Sequence, residues 1–253
     1  MRPLLDHPTL LCLSSLIVFW LVGLAGYGVQ KLARPLRRDE QDEYKIVEGA
    51  CLTLLGLIIG FSFAMAVNRY DLRKNMEESE ANAIGTQYVR AELLPAPAAG
   101  ALKKALKSYL DRRIAFYAEQ DPALLAEAAA HEAKLQAEIW SIVRDSAAAQ
   151  PTPIVALVVA GANDVLNAQG YALAAWRNRI PIAAWALMAI IAGACSAMLG
   201  FGSQRFNAPL LLVLPATIAI SFLLIAEIDS PRGGFIRVLP ANLAPVAQSL
   251  AQP

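Results

Sequence analysis

Four stretches of the chain, residues 9–29, 49–68, 180–204 and 206–226, contain no Asp, Glu, Lys or Arg. Crossing the hydrocarbon of a bilayer takes about 20 mostly apolar residues at about 1.5 Å rise each. All four stretches are long enough, which predicts an all-α membrane protein with four transmembrane helices. The first is longer than the roughly 7–15 apolar residues of a signal peptide and has no evident small-residue cleavage site, so it is read as a mature span. The segments between predict an N-terminal tail over 1–8, a charged loop over 30–48 and a C-terminal tail over 227–253.

The polar mass is concentrated in one insertion between the second and third spans, since residues 69–179 hold 13 basic and 13 acidic side chains. Ala, Leu, Glu, Lys and Arg dominate it, and β-branched residues are sparse before Ile139. That composition predicts helices throughout. Pro95 and Pro97 end one helix, while Asp121-Pro122 and Thr152-Pro153 each read as an N-cap with proline at the first helical position. Three helices are expected at about 98–119, 122–149 and 153–178, forming a central helical extramembrane domain over 98–179. Ile139, Trp140, Ile142 and Val143 give the middle helix an apolar face, which favours a packed layer over a disordered loop.

From Ile46 to Leu94 there is no proline, so the second span is expected to continue as one long helix to about residue 94. Along it Thr53, Gly56, Gly60, Ala64, Asn68, Asn75, Ser79, Asn82, Thr86 and Arg90 recur at steps of three, four or seven and fall near one side. Two readings of this stripe stand. Gly56 and Gly60 form a GxxxG pattern, extended by Ala64, that lets helix backbones approach closely in lipid. Alternatively the stripe faces a water-filled axial path, with bulky Ile59, Phe61 or Phe63 forming a dewetting constriction. In the third span Ala189, Gly193 and Ala197 form one small-residue ladder and Ala192, Ser196 and Gly200 another, again read first as helix contact.

Composition narrows the chemistry. The 253 residues are 57% hydrophobic and 17% charged, against about 25% charged in soluble domains. The 22 basic and 21 acidic residues leave a formal charge of +1, so no global basic field exists to hold nucleic acid. Three cysteines, Cys12, Cys51 and Cys195, lie inside or at the edge of spans, and His7 and His131 are isolated. No metal set, disulfide framework or cofactor is expected from them. No ionisable residue lies near the middle of a span, which argues against ion-coupled transport. Walker, GxSxG and HExxH patterns are absent, and no enzyme activity is expected. Glu77, Glu78 and Glu80 near Arg73 and Lys74 read as a solvated, ion-paired helix surface. After the fourth span, Glu227, Asp229, Pro231 and Arg232 form an interface turn. Its two acids either pair locally with Arg232 or make an acidic vestibule for a cation.

The block from Gly56 through Gly60-Phe61-Ser62-Phe63-Ala64 to Ala66, then Arg69-Tyr70-Asp71-Leu72-Arg73, Glu80-Ala81-Asn82-Ala83-Ile84-Gly85-Thr86 and Arg90-Ala91-Glu92-Leu93-Leu94-Pro95, resembles the bestrophin-like family of bacterial membrane proteins. Leu166-Asn167, Arg177 to Pro181, Trp185, Gly200-Phe201-Gly202 and Asp229-Ser230-Pro231-Arg232-Gly233 fit the same family, so the likeness covers roughly 49–238. True bestrophins are pentameric anion channels whose second span lines a narrow apolar neck. The resemblance implies Phe61 and Phe63 as counterparts of that neck, although Gly60 and Ser62 interrupt the bulky run.

An even number of crossings puts both termini and the central domain on one side. The basic residues Lys31, Arg34, Arg37, Arg38 and Lys45 mark the 30–48 loop as cytoplasmic by the positive-inside rule. Arg69, Arg73, Lys74, Arg177 and Arg179 mark the opposite side, and the resemblance implies a cytoplasmic central domain. The expected function is a homo-oligomeric, channel-like protein, multi-pass in a bacterial inner membrane, with membrane lipid and a small inorganic ion as partners. The alternative is a membrane scaffold or stress-linked interaction protein whose stripe serves packing only.

Overall fold

The computed structural model describes residues 5–33, 37–119 and 121–251, and among these every regular element is helical. In chain order the helices are α1 Pro8–Leu32, α2 Arg38–Arg90, α3 Ala96–Ala118, α4 Pro122–Ala149, α5 Pro153–Arg177, α6 Ile182–Gly202, α7 Ala208–Asp229 and α8 Leu243–Ala251, with a 3-10 turn Ala91–Leu93 after α2. Four segments are long and apolar enough to cross a membrane: Pro8–Leu32, Asp39–Leu93, Pro153–Gly202, which contains α5 and α6, and Ala208–Asp229. The chain divides into two compact units, and the boundary between Tyr70 and Asp71 falls inside the 53-residue helix α2.

The first unit holds α1, the first part of α2, α6 and α7. Its core is apolar: Phe19, Leu55, Ala66, Trp185, Met188, Ile218 and Phe222 are buried together. Phe222 takes Phe19 and Trp185 edge-on, with ring centroids 5.9 and 5.7 Å away, a geometry that sets the positive ring edge on a negative face. Helices α1 and α6 approach at backbone distance. A side-chain carbon on Gly26 would run into the Ala197 carbonyl, and one on Gly200 into the Gly23 carbonyl and the Tyr27 nitrogen. The ladder Ala192, Ser196 and Gly200 is buried, so its spacing serves helix contact as small residues do in lipid. Gly193, in the other ladder, has nothing within 4 Å.

The second unit holds the later part of α2, α3 to α5 and the C-terminal segment. Two of its helices begin on side-chain caps: Asp121 accepts from the Ala123 N–H at 2.8 Å and Thr152 from the Val155 N–H at 3.3 Å, each followed by proline. Such caps stabilise by about 1 kcal/mol each. Leu102, Leu106, Tyr109, Leu110, Ile139, Val143, Val158 and Val165 form the buried layer.

Several expectations change. The stretch 30–48 is helical from Arg38 onward, and Tyr44 fastens this part by donating from its hydroxyl to the Met198 carbonyl. Within that stretch Arg34 lies outside the described residues, as do the ends of both tails. Pro97 sits in the first turn of α3, where a missing N–H costs nothing. Trp140 is exposed beside the buried Ile139 and Val143. Within the expected tail, Glu227 to Asp229 complete α7 and residues 243–251 form α8.

Candidate functional site

The predicted stripe on α2 and the buried residues of α2 lie on opposite faces, as about 100° per residue requires. In the first unit, Leu55, Ser62 and Ala66 are buried, whereas Thr53, Gly56, Gly60, Ala64 and Asn68 are exposed. Nothing lies within 4 Å of a side-chain carbon added at Gly56 or Gly60. Among the described residues the GxxxG pair therefore has open space before it, unlike Gly23, Gly26 and Gly200. Phe61 is 62% exposed and Phe63 37%, while Ile59 is half-buried against the apolar core.

In the second unit the same division holds. Asn75, Ser79, Asn82 and Thr86 are exposed, and Arg73, Glu77, Glu80, Ala81, Ile84 and Gln87 are buried. Arg90 departs from the stripe by reaching Asp164 on α5 at 3.7 Å. Two hydroxyls of the stripe are satisfied within the helix: Thr53 donates to the Gly49 carbonyl and Ser79 to the Asn75 carbonyl, both at 2.8 Å.

The buried face of the second unit carries charged side chains, contrary to the solvated surface expected from their sequence neighbours. Glu78 alone of the three glutamates is exposed. Glu80 and Arg113 are fully buried and joined from the Nε and Nη2 of the guanidinium, the latter to Oε2 at 3.2 Å. Nη1 of Arg113 donates to both carboxylate oxygens of Glu132 at 3.2 Å. Tyr117 donates to Glu80 Oε2 at 3.2 Å, and Gln169 Nε2 to Glu132 Oε2 at 2.8 Å. Gln136 extends the chain to Gln169. The guanidinium carbon also lies 4.4 Å from the centre of the Phe116 ring. Burial pushes the Glu80 carboxyl above the ordinary carboxylate value, against the pull of Arg113. Burial works against the charged form of Arg113, but Glu80, together with Tyr109 and Glu132, holds the guanidinium above its usual value. Burial also raises Tyr117, which keeps its phenol protonated as a donor.

Glu77 has a different task. Its carboxylate accepts from the backbone N–H groups of Asn242 and Leu243, both at 2.9 Å, and from the Asn242 side chain at 2.6 Å. It is an N-cap for α8 supplied from 165 residues away, and the negative charge suits the helix N-terminus.

The interface turn of the first unit is a packed corner. Asp229 accepts from the Ile180 N–H at 3.1 Å and faces the Arg69 and Arg179 guanidinium groups at 3.8 and 3.7 Å. Glu227 accepts from the Phe235 N–H at 2.6 Å, and Ser230 Oγ from the Gly233 N–H at 3.0 Å. Gly233 lies against the Asp6 carbonyl and has no room for a side chain, while one on Gly234 would displace the Glu227 carboxylate. Both acids are buried and spent on backbone N–H groups and arginines.

His7 and His131 are exposed and the three cysteines are free. Among the described residues no group of three or more His, Cys, Asp or Glu is placed to hold a metal. The sequence signal that could have found the ion network is the spacing Glu77, Glu80, Ala81, Ile84, Gln87, an i, i+3, i+4, i+7 face that mixes apolar and charged residues.

A family model described as the bestrophin-like domain matches residues 12–243. Among solved structures, a single-residue variant of a bacterial bestrophin homologue from Klebsiella pneumoniae is similar at 14% identity, with a TM-score of 0.64 over 94% of this chain and 96% of that one. A second crystal structure of the Klebsiella pneumoniae homologue gives 13% identity and a TM-score of 0.64 over 95% and 94% of the two chains. A crystal structure described as a membrane protein gives 13% and 0.62 over 94% and 95%. No curated protein matches the chain.

Proposed function

We propose, for a chain that belongs to the bestrophin-like domain family, a homo-oligomeric channel of a bacterial inner membrane in which the bare face of α2 surrounds the axis. Residues Thr53, Gly56, Gly60, Ala64 and Asn68 face the path in its membrane part, and Asn75, Ser79, Asn82 and Thr86 line the part beyond it. Phe61 and Phe63 form the constriction, where apolar rings resist wetting until an ion drives entry. The cargo is a small inorganic ion, and the second unit stands outside the bilayer.

The observation that carries this reading is the contrast between glycines. Gly26 and Gly200 are needed for close packing within the chain, whereas Gly56 and Gly60 have open space before them. Small residues on an uncovered face of a span keep room either for a neighbouring subunit or for a path. The polar continuation Asn75, Ser79, Asn82 and Thr86 favours the path, since charged side chains are commoner on surfaces that meet bulk water.

Purified protein in planar bilayers tests it. Discrete conductance is expected, and Phe61→Ala or Phe63→Ala should enlarge or deregulate it. Absence of conductance across voltage, calcium and pH, together with a monomeric mass in detergent, would refute the channel and leave the scaffold.

A further inference from the structure

The first unit carries three thiols that lie off the bare face of α2: Cys12 and Cys51 are half-buried and Cys195 is fully buried. Their relative positions follow from the register of the helices that hold them. Helices α2 and α6 run antiparallel. Near the start of α2, Tyr44 donates to the Met198 carbonyl and sets its ring centre 5.7 Å from that of Phe201. It also lies against Gly202, where an added side-chain carbon would come 3.0 Å from the tyrosine ring. Further along, Ala66 on α2 and Ile180, just before α6, are buried in one cluster, and Arg69 and the Ile180 N–H meet on Asp229.

Cys51 is seven residues beyond Tyr44, and Cys195 is seven before Gly202. Seven residues are about two helical turns. Each cysteine therefore returns to the face its helix presents at the Tyr44 contact, and the antiparallel sense brings the two to one level. Burial agrees: Cys51 shares the inward face of α2 with Leu55, Ser62 and Ala66, and it packs against the buried cluster that holds Cys195. Cys51 is also near enough for its charge to act on Cys195. Cys12 stands apart. Helices α1 and α6 run parallel with an offset of 173 residues, set by Asp6 on Arg179 and repeated by Gly23 beside Ser196 and Tyr27 beside Gly200. That register puts Cys12 level with Trp185, ten residues from Cys195 and so about 15 Å away along the axis.

We propose that Cys51 and Cys195 are a reversible thiol–disulfide pair that clamps the start of the second span, on α2, to α6. The oxidant is a small disulfide. Cys51, the more accessible thiol, attacks one sulfur of it and expels the first half as a thiol. Cys195 then attacks the Cys51 sulfur and expels the second half. One sulfur–sulfur bond forms and one breaks; the two hydrogens and two electrons lost by the cysteines end on the two expelled thiols. The bond requires Cα atoms within about 7 Å of each other, so the reaction itself tests the register. A link that closes so long a loop constrains the unfolded chain and makes the oxidised form harder to unfold. The inference does not depend on the chain being a channel.

The test uses full-length protein in detergent, fully reduced and then equilibrated in its folded state with oxidised glutathione. The sample is unfolded, its remaining thiols are blocked with a maleimide, and the intact chain is weighed. Reduced protein should take three labels, one for each cysteine. Oxidised protein should take one label and retain no glutathione, and a digest without reductant should join the Cys51 peptide to the Cys195 peptide. Cys12→Ala should lose both of its labels on oxidation, whereas Cys51→Ala and Cys195→Ala should form no internal link. Oxidised wild type should also melt at a higher temperature than reduced wild type, and Cys51→Ala should show no such difference. Three labels after oxidation would overturn the proposal, as would glutathione retained at Cys51 without a link, or a link made to Cys12. Should an alanine variant fail to fold, the wild-type digest still decides.

Discussion

The two units of this protein use opposite devices to fix helices against one another. In the first unit the contact is bare backbone, with Gly26 on Ala197 and Gly200 on Gly23 and Tyr27, around a core of Phe19, Trp185 and Phe222. In the second, an apolar layer is crossed by a fully buried guanidinium with two carboxylates, and the last helix starts on a distant carboxylate. The difference fits the surroundings proposed for each unit. Lipid gives no hydrophobic drive between helices, so shape and close approach decide. On the proposed placement of the second unit outside the bilayer, burial of apolar area stabilises it and a polar network is tolerated where every member finds a partner. The lesson extends to α2, which passes through both units and in each turns one face inward and leaves the opposite face uncovered.

The largest effect expected is at Arg113. Arg113→Ala strands Glu80 and Glu132 in a dry interior, and breaking a buried pair in this way costs about 3–5 kcal/mol. Chemical unfolding of the detergent-solubilised protein should show the second unit losing structure first. An effect under about 1 kcal/mol would place the network in solvent. Next comes the bundle. Gly200→Val forces α1 and α6 apart and should cost about 1–3 kcal/mol as overpacking, seen as a lower melting temperature. The same change at Gly60 meets nothing within 4 Å among the described residues, so it should spare the fold of the protomer and alter only assembly or conduction. Equal destabilisation at the two glycines would erase the contrast. The smallest effect belongs to Glu77. Its replacement by alanine removes the cap of α8 and should cost about 0.5–2 kcal/mol, read as faster amide exchange over residues 243–251 with α3 to α5 unchanged.

How much of this was legible in the sequence depended on whether a residue's partner was near in the chain. The four apolar segments stand out because charge is absent from them, a property of each stretch alone. The caps at Asp121 and Thr152 are equally local, since donor and acceptor lie within three residues. Glu77 and Glu80 read as solvated because Arg73 and Lys74 are close in sequence, yet their partners are Asn242 and Arg113, far along the chain. Helix α8 escaped notice for the same reason, being nine residues long and capped by Glu77. Small-residue spacing was visible at both Gly56 and Gly200, but only the neighbours tell a packed glycine from an open one.

The central claim is that the uncovered face of α2 meets water inside an assembled protein. Single cysteines at Asn75, Ser79, Asn82 and Thr86, in a background with Cys12, Cys51 and Cys195 changed to alanine, test it most directly. A small water-soluble thiol reagent should modify all four positions in the membrane-embedded protein, and a bulky impermeant one should be excluded. Reaction with the small reagent at few or none would mean dry packing between helices, and free reaction with the bulky reagent at every position would mean an ordinary exposed surface; either result contradicts the claim.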